Sequence, residues 1–281
     1  MPVSRRLRLF LIAFLTLGFG MHGPAHAWKN GPPNNKVTNS AKDCVNPPYS
    51  THDWVADQAR ALLPPAERAW LDPHRKLLLI GTEAPDYAKI RLACGVPHQG
   101  YNDTGGGKHD LRFDDFGNVT NDLPARRAQE EYDKAVIAYR SGRPDHAAFY
   151  LGAAAHYIGD LAQYGHTIAG ETHHADFEEW VGSLTPSFAG GGVFEKFIHA
   201  GGLLRRNAYD AVVDTGTFTH AGKVPVLAPA EMDRRFDPTA SPDPVFIGSI
   251  GATLNKAVNE TANMLHSFFQ DVVMPTASAR Q

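Results

Sequence analysis

Asp145-His146-Ala147-Ala148-Phe149-Tyr150-Leu151-Gly152-Ala153-Ala154-Ala155-His156-Tyr157-Ile158-Gly159-Asp160-Leu161-Ala162-Gln163 is the stretch on which the fold turns. It is rich in alanine, the best helix former, and its apolar residues Ala147, Phe149, Leu151, Ala153, Ala155, Ile158 and Leu161 fall on every side of a helix. A helix with no polar face has to be covered all round, which places it at the centre of a bundle. Outward from it, Pro124–Arg140 shows a helical face of Ala128, Tyr132, Ala135, Val136 and Tyr139, closed by Ser141-Gly142-Arg143-Pro144. A first helix is expected from Ser50-Thr51-His52 to the Pro64-Pro65 break, and a second over Ala66–Ile80. Further helical patterns cover His174–Val181, Val193–Val213 and Val245–Val273, and Gly81–Asn121 reads as loop. No convincing alternating strand, internal repeat or linker appears. The expectation is all-α, a single helical-bundle domain.

Residues 1–27 stand apart. Arg5, Arg6 and Arg8 precede an apolar run from Leu9 to Phe19, and Ala25-His26-Ala27 makes a small-x-small cleavage signal. This is the pattern of a secretory signal peptide, with the apolar run too short for a membrane span. Cleavage would leave residues 28–281, beginning at Trp28 with a free α-amino group. The segment carries three of the 27 basic residues and none of the 30 acidic ones, so its removal moves the formal charge from −3 to −6. That balance argues against nonspecific binding to nucleic-acid phosphates and against a polybasic lipid patch. A soluble periplasmic or extracellular protein is expected, with no transmembrane span. Cys44 and Cys94 are then an exported pair, read as one disulfide worth roughly 4 kcal/mol in the chain-entropy model, with two free thiols as the alternative.

The candidate chemistry is a set of histidines and carboxylates. His156 and Asp160 lie four apart on the central helix, hence on one face, and His174 and Glu178 repeat that spacing downstream. His166 falls between the two pairs, and His52, Asp86 and His109 come from separate upstream segments. Imidazole nitrogen and carboxylate oxygen are ligands zinc accepts. A lone His-x-x-x-Asp is commonplace as a hydrogen-bonded pair. Placing histidine and aspartate inside an otherwise apolar helix, however, is costly unless something pairs them. His74, His98, His146, His199, His220 and His266 have ordinary surface or packing readings, while His173 competes with His174.

These residues resemble the bacterial zinc-dependent phospholipases C, with the S1/P1 nucleases as more distant relatives. The likeness is strongest from Arg126 to Glu178, through Phe149-Tyr150-Leu151-Gly152 and His156-Tyr157-Ile158-Gly159-Asp160. Trp28, His52-Asp53-Trp54, Asp86-Tyr87, and His109 with Phe113-Asp114-Asp115-Phe116-Gly117 extend it. The resemblance implies a helical bundle with three zinc ions in a cleft. One zinc would take His166, His174 and Glu178, and a second Asp86, His109, His156 and Asp160. A third would take the amino nitrogen and carbonyl oxygen of Trp28 with His52, sharing Asp160 as a bridge. The implied reaction is phosphodiester hydrolysis, releasing diacylglycerol and a phosphorylated headgroup from phospholipid, with transient contact at a membrane surface. Asp86 is the candidate general base or a ligand only.

Of the three headgroup-pocket groups of choline-preferring relatives, Tyr87 is in place, whereas counting from Trp28 and His109 puts Gly31 and Gly106 at the other two positions. Choline preference is therefore not expected unless Tyr49, Tyr101 or Phe113 substitutes. Only Pro275–Gln281 follows Met274, so no β-sandwich module of the membrane-docking toxins is expected. Two alternatives stay open: an S1/P1-type single-strand nuclease, and a zinc-stabilised binding protein without turnover. Glu178 where those nucleases carry aspartate, and the 24-residue gap from Trp28 to His52, weigh against the first; the filled metal positions weigh against the second.

Overall fold

The structure is a computed structural model that describes residues 49–86, 92–93, 95–97, 103, 107–188, 192–241 and 243–275. The signal segment, Trp28, Gly31, Cys44, Tyr87, Cys94, His98, Tyr101 and Gly106 lie outside the described residues, and with them the expected cleavage, disulfide and headgroup tyrosine.

The chain is all-α. Its helices are α1 (Thr51–Leu62), α2 (Pro65–Leu71), α3 (Arg75–Glu83), α4 (Leu123–Arg140), α5 (Pro144–Asp160), α6 (His174–Leu184), α7 (Ala208–Ala221), α8 (Pro229–Arg235) and α9 (Pro244–Phe268). The helix read over Ala66–Ile80 is two, because Pro73 tightens Asp72–His74 into a 3-10 turn between α2 and α3. The stretch read as loop carries two small antiparallel pairs. β1 (Leu92–Ala93) pairs with β2 (Val96–Pro97), and β3 (Arg112–Phe113) with β4 (Val119–Asn121), Arg112 opposite Asn121. Asp114-Asp115-Phe116-Gly117 turns that second hairpin, with Gly117 at a positive φ of 80°.

Helix α5 is the centre. It packs against α1, α3, α4, α7 and α9, and Ala147, Phe149, Leu151, Ala154, Tyr157 and Ile158 are fully buried along it. The absence of a polar face in the sequence therefore has its physical counterpart in five covering helices. The crossing with α3 is the closest. Gly81 and Gly152 face each other there, and a Cβ at either position would fall about 2 Å from a backbone carbonyl oxygen of the other helix (Phe149 O at 2.0 Å, Leu78 O at 1.9 Å).

The helix expected over Val193–Val213 is not continuous. After a 3-10 turn at Glu195–Phe197 the chain runs without helical or sheet hydrogen bonds until α7 begins at Ala208. Its backbone is satisfied instead by one face of α9. His199 N donates to Asn255 Oδ1 at 2.9 Å, Gly201 N to Asn259 Oδ1 at 2.8 Å, Leu204 N to Asn263 Oδ1 at 2.9 Å, and Arg206 N to Ser267 Oγ at 2.7 Å. Four polar side chains spaced four apart thus replace a strand partner, which obeys the rule that backbone donors find acceptors. Asn263→Ala is expected to cost about 1 kcal/mol, the usual net worth of a hydrogen bond whose donor can turn to water. Urea unfolding checks it: the midpoint should fall while the m-value stays unchanged.

Candidate metal centre

Six segments converge at the α5 C-terminus. Ser50 caps α1: its hydroxyl accepts from Asp53 N at 3.2 Å, and Asp53 Oδ2 accepts from Ser50 N at 3.0 Å. The reciprocal cap fixes the first turn of α1 and turns His52 inward, where its ring stacks on His156 with centroids 4.1 Å apart. Gly159 makes room for it, since a Cβ there would meet His52 Nδ1 at 2.7 Å. This is a packing reason for glycine in His156-Tyr157-Ile158-Gly159-Asp160.

His156 Nδ1 lies 2.6 Å from the carbonyl oxygen of Thr82 on α3. A carbonyl only accepts, so Nδ1 carries the proton and Nε2 presents its lone pair to the cluster. Asp160 meets histidines on both oxygens. Oδ1 is 3.3 Å from His52 Nε2, while Oδ2 is 2.7 Å from His109 Nδ1 and 3.3 Å from His156 Nε2. Asp86, at the end of the 3-10 turn after α3, brings Oδ1 to 3.8 Å from His109 Nε2 and 3.7 Å from His156 Nε2.

Beyond α5 a 3-10 turn, Tyr164–Thr167, carries His166. Its Nδ1 meets Asp110 Oδ1 at 3.1 Å and its Nε2 lies 3.7 Å from Glu178 Oε1. His174 opens α6, with Nε2 at 2.9 Å from Glu178 Oε1 one turn on and Nδ1 at 2.8 Å from Glu171 Oε1. His173 turns away and packs against Phe236, so His174 is the histidine of the pair that faces Glu178. Three groups of donor atoms lie close enough to hold a metal ion each: His52 with Asp86 and His156, His109 with His156 and Asp160, and His166 with His174 and Glu178. The eight described ligand candidates are all in this cluster. His52 groups with Asp86 as well as with Asp160, a juxtaposition the sequence reading did not contain.

Burial alone would raise the Asp160 carboxyl, but His156 and then His109 hold it well below the usual carboxylate range. Burial likewise opposes Glu178, and His174 with His166 pulls it down. Burial pushes the His156 imidazole well below its ordinary value, leaving a neutral donor. At these three positions ionised carboxylates beside a neutral imidazole match what metal ligation requires, whereas burial raises the Asp86 carboxyl and, against burial, the neighbouring carboxylates raise the imidazoles of His109, His166 and His174. The buried Nε2 atoms of His52, His109, His166 and His174 face the cluster's carboxylates but make no well-directed hydrogen bond. Buried polar atoms left this way are rare, and an N/O donor set of this kind suits zinc. The residues fit the metal.

Sequence reasoning missed Thr82, Asp110 and Glu171, which orient His156, His166 and His174. Glu171 was legible as a carboxylate three residues before His174; Thr82 was not, because it acts through its backbone carbonyl. Among the histidines given ordinary readings, His266 Nδ1 meets buried Glu67 at 2.8 Å and His220 stacks on Phe113 at 4.0 Å. Phe113 is thereby engaged, and Tyr49 donates its hydroxyl to Asp57 at 3.0 Å, so both of these substitutes for a headgroup cage already have partners.

An all-helical bundle that gathers buried histidines and carboxylates into adjoining metal-competent groups defines a metal-dependent class of helical protein. The family description zinc dependent phospholipase C matches residues 51–189, which contain all eight of these candidates. The chain belongs to the bacterial zinc-dependent phospholipase C family. No curated protein matches it. Among solved structures it is similar to the alpha-toxin of an avian Clostridium perfringens strain, with 18% identity and a TM-score of 0.53 over 79% of this chain and 63% of that one. It is also similar to the alpha toxin of Clostridium absonum, with 16% identity and a TM-score of 0.52 over 86% and 66% of the two chains. At these identities the likeness speaks to fold, and the chain spans less than two thirds of either toxin. No helix among the described residues is long and apolar enough to cross a membrane.

Proposed function

We propose that the protein is a secreted zinc metallohydrolase of phosphodiesters, acting as a phospholipase C that releases diacylglycerol and a phosphorylated headgroup. The observation that carries this reading is the contact of Asp160 with His52 through one oxygen and with His109 and His156 through the other. A carboxylate in this position would serve two metal positions at once. On this reading Asp86, His109, His156 and Asp160 hold one zinc, and His166, His174 and Glu178 another. His52 and Asp160 hold a third with the amino group of Trp28, exposed by cleavage after Ala27, and residues 28–281 form the mature helical domain.

Zinc, when bound, neutralises phosphoryl charge in the transition state and acidifies water. The chain's own contribution is orientation and exclusion of solvent. Thr82 fixes the His156 tautomer, Asp110 orients His166, and Glu171 orients His174. The cluster is closed on the side of His52, His156, Asp160 and His166, whose side chains have no solvent exposure. It opens toward Asp86 and His174, with side-chain exposures of 6% and 14%. On this reading substrate approaches from that side, and Asp86 serves there either as the base that takes the proton of the attacking water or as a ligand only.

The test is zinc content of the processed protein by elemental analysis, in parallel with hydrolysis of phosphatidylcholine, phosphatidylethanolamine and single-stranded DNA. Three zinc ions per chain with diacylglycerol release is the expected result. Chelation should abolish turnover and lower the melting temperature, and added zinc should restore both. DNA cleavage without lipid turnover would transfer the chain to the nuclease reading. Three zinc ions with no turnover of any substrate would leave a zinc-stabilised binding protein, and less than one zinc per chain in excess metal would overturn the site.

A further inference from the structure

We propose that Asp103 is the positioning residue that assembles the metal position of Asp86, His109 and His156, by bonding to the chain neighbour of each. This rests on the metal reading of the site given above. Asp103 lies outside any regular element, six residues before His109, yet it is buried. Its backbone N–H donates to the carbonyl oxygen of Pro85, next to Asp86, at 3.3 Å. Its Oδ1 accepts from Lys108 Nζ, next to His109, at 2.8 Å. Its Oδ2 accepts from the hydroxyl of Tyr157, next to His156, at 2.5 Å. The same oxygen accepts from Arg127 Nε on α4 at 2.7 Å, which anchors the junction to the bundle.

Among the described hydrogen bonds, Asp103 joins these three segments from outside the ligand set, through a neighbour of each candidate, whereas His156 joins them from within it through Thr82 O and His109 Nδ1. His156 and Tyr157 sit on a rigid helix, but Asp86 ends a 3-10 turn and His109 stands on a chain segment with no ladder bonds of its own. Such a segment has to be held against its conformational entropy, and a buried, charge-assisted junction is a means of holding it. Burial would raise the Asp103 carboxyl, yet Lys108, Tyr157 and Arg127 hold it down to about 2, so its acceptor state persists at neutral pH. Tyr157 carries the effect onward through its ring, which lies 5.6 Å from His109 between centroids. Among the described hydrogen bonds Asp103 reaches no ligand candidate directly; it acts on the residues beside them.

Asp103→Asn keeps the volume and removes the charge; Tyr157→Phe keeps the ring and removes only the hydroxyl. Both are compared with the metal-loaded full chain by chelator-competition titration of zinc, and by the d–d spectrum after cobalt substitution. Outer-shell partners of this kind govern metal affinity by about 10–100-fold. The expected result is that Asp103→Asn weakens one metal equivalent by about that factor, alters the cobalt spectrum of that equivalent, and leaves the others unchanged. Tyr157→Phe should weaken the same equivalent several-fold, and it decides the matter if Asp103→Asn does not fold. Equal weakening of every equivalent would make the junction merely structural and overturn the proposal, as would no weakening in a protein whose wild type binds its full zinc. A wild type that binds no zinc overturns the metal reading itself, and this inference with it.

Discussion

Asp160→Asn is expected to lower phosphodiester hydrolysis by about 10³-fold, roughly 4 kcal/mol of transition-state stabilisation. On the proposed reading of three zinc ions per chain, the same change should reduce the zinc content to one. The substitution keeps shape but replaces an anion with a neutral amide at the point where His52, His109 and His156 converge. Two metal positions then lose a charged ligand together, whereas the group of His166, His174 and Glu178 has no contact with Asp160 among the described ion pairs and retains its metal. Elemental analysis separates the outcomes. Retention of three zinc ions would show that Asp160 is no bridge, and loss of all three would show that the positions do not fold independently. Glu178→Gln is the converse experiment, expected to remove the one zinc that Asp160→Asn leaves.

Gly152→Ala is expected to destabilise the fold by about 3 kcal/mol or more, although alanine is the better helix former by about 1 kcal/mol. A methyl group at this position would sit 1.9 Å from Leu78 O, and that atom belongs to a helix backbone that cannot move aside locally. Helix α3 must therefore shift as a body. It carries Thr82, so the hydrogen bond that sets the His156 tautomer moves with it. Loss of stability and loss of zinc should appear together, read by urea unfolding and by metal analysis on one preparation. Gly248→Ala is the control. It lies in α9 with nothing within 4 Å of the added methyl, and the same change there should be neutral or stabilising by up to about 1 kcal/mol.

Much of this architecture was legible because two periodicities carry it. The all-round apolar pattern of residues 145–163 predicts a covered central helix, and α5 is one. The four-residue spacings His156–Asp160 and His174–Glu178 predict pairs on one face, and the nitrogens and oxygens of both pairs meet at 3.3 and 2.9 Å. The misreadings have a common cause. Val193–Val213 has helical composition, but part of it is extended because α9 offers a row of acceptors that no local pattern reveals. Ala66–Ile80 is divided by a proline whose effect depends on how the flanking helices pack. The short strands at Leu92–Ala93, Val96–Pro97, Arg112–Phe113 and Val119–Asn121 run two or three residues each, too few for any alternation to register.

What the amino-acid order alone determined, then, is the helical class and the kinds of donor the chain offers, because helix propensity, apolar period and i,i+4 spacing are properties of neighbours in sequence. Which donors face one another was decided only by the tertiary structure. His52, Asp86 and His109 are separated from Asp160 by dozens of residues, and their meeting depends on the α3–α5 glycine contact, on the α1 cap and on backbone carbonyls such as that of Thr82. A carbonyl is present at every residue, so its role leaves no trace in the sequence; it exists only where packing turns it toward a partner.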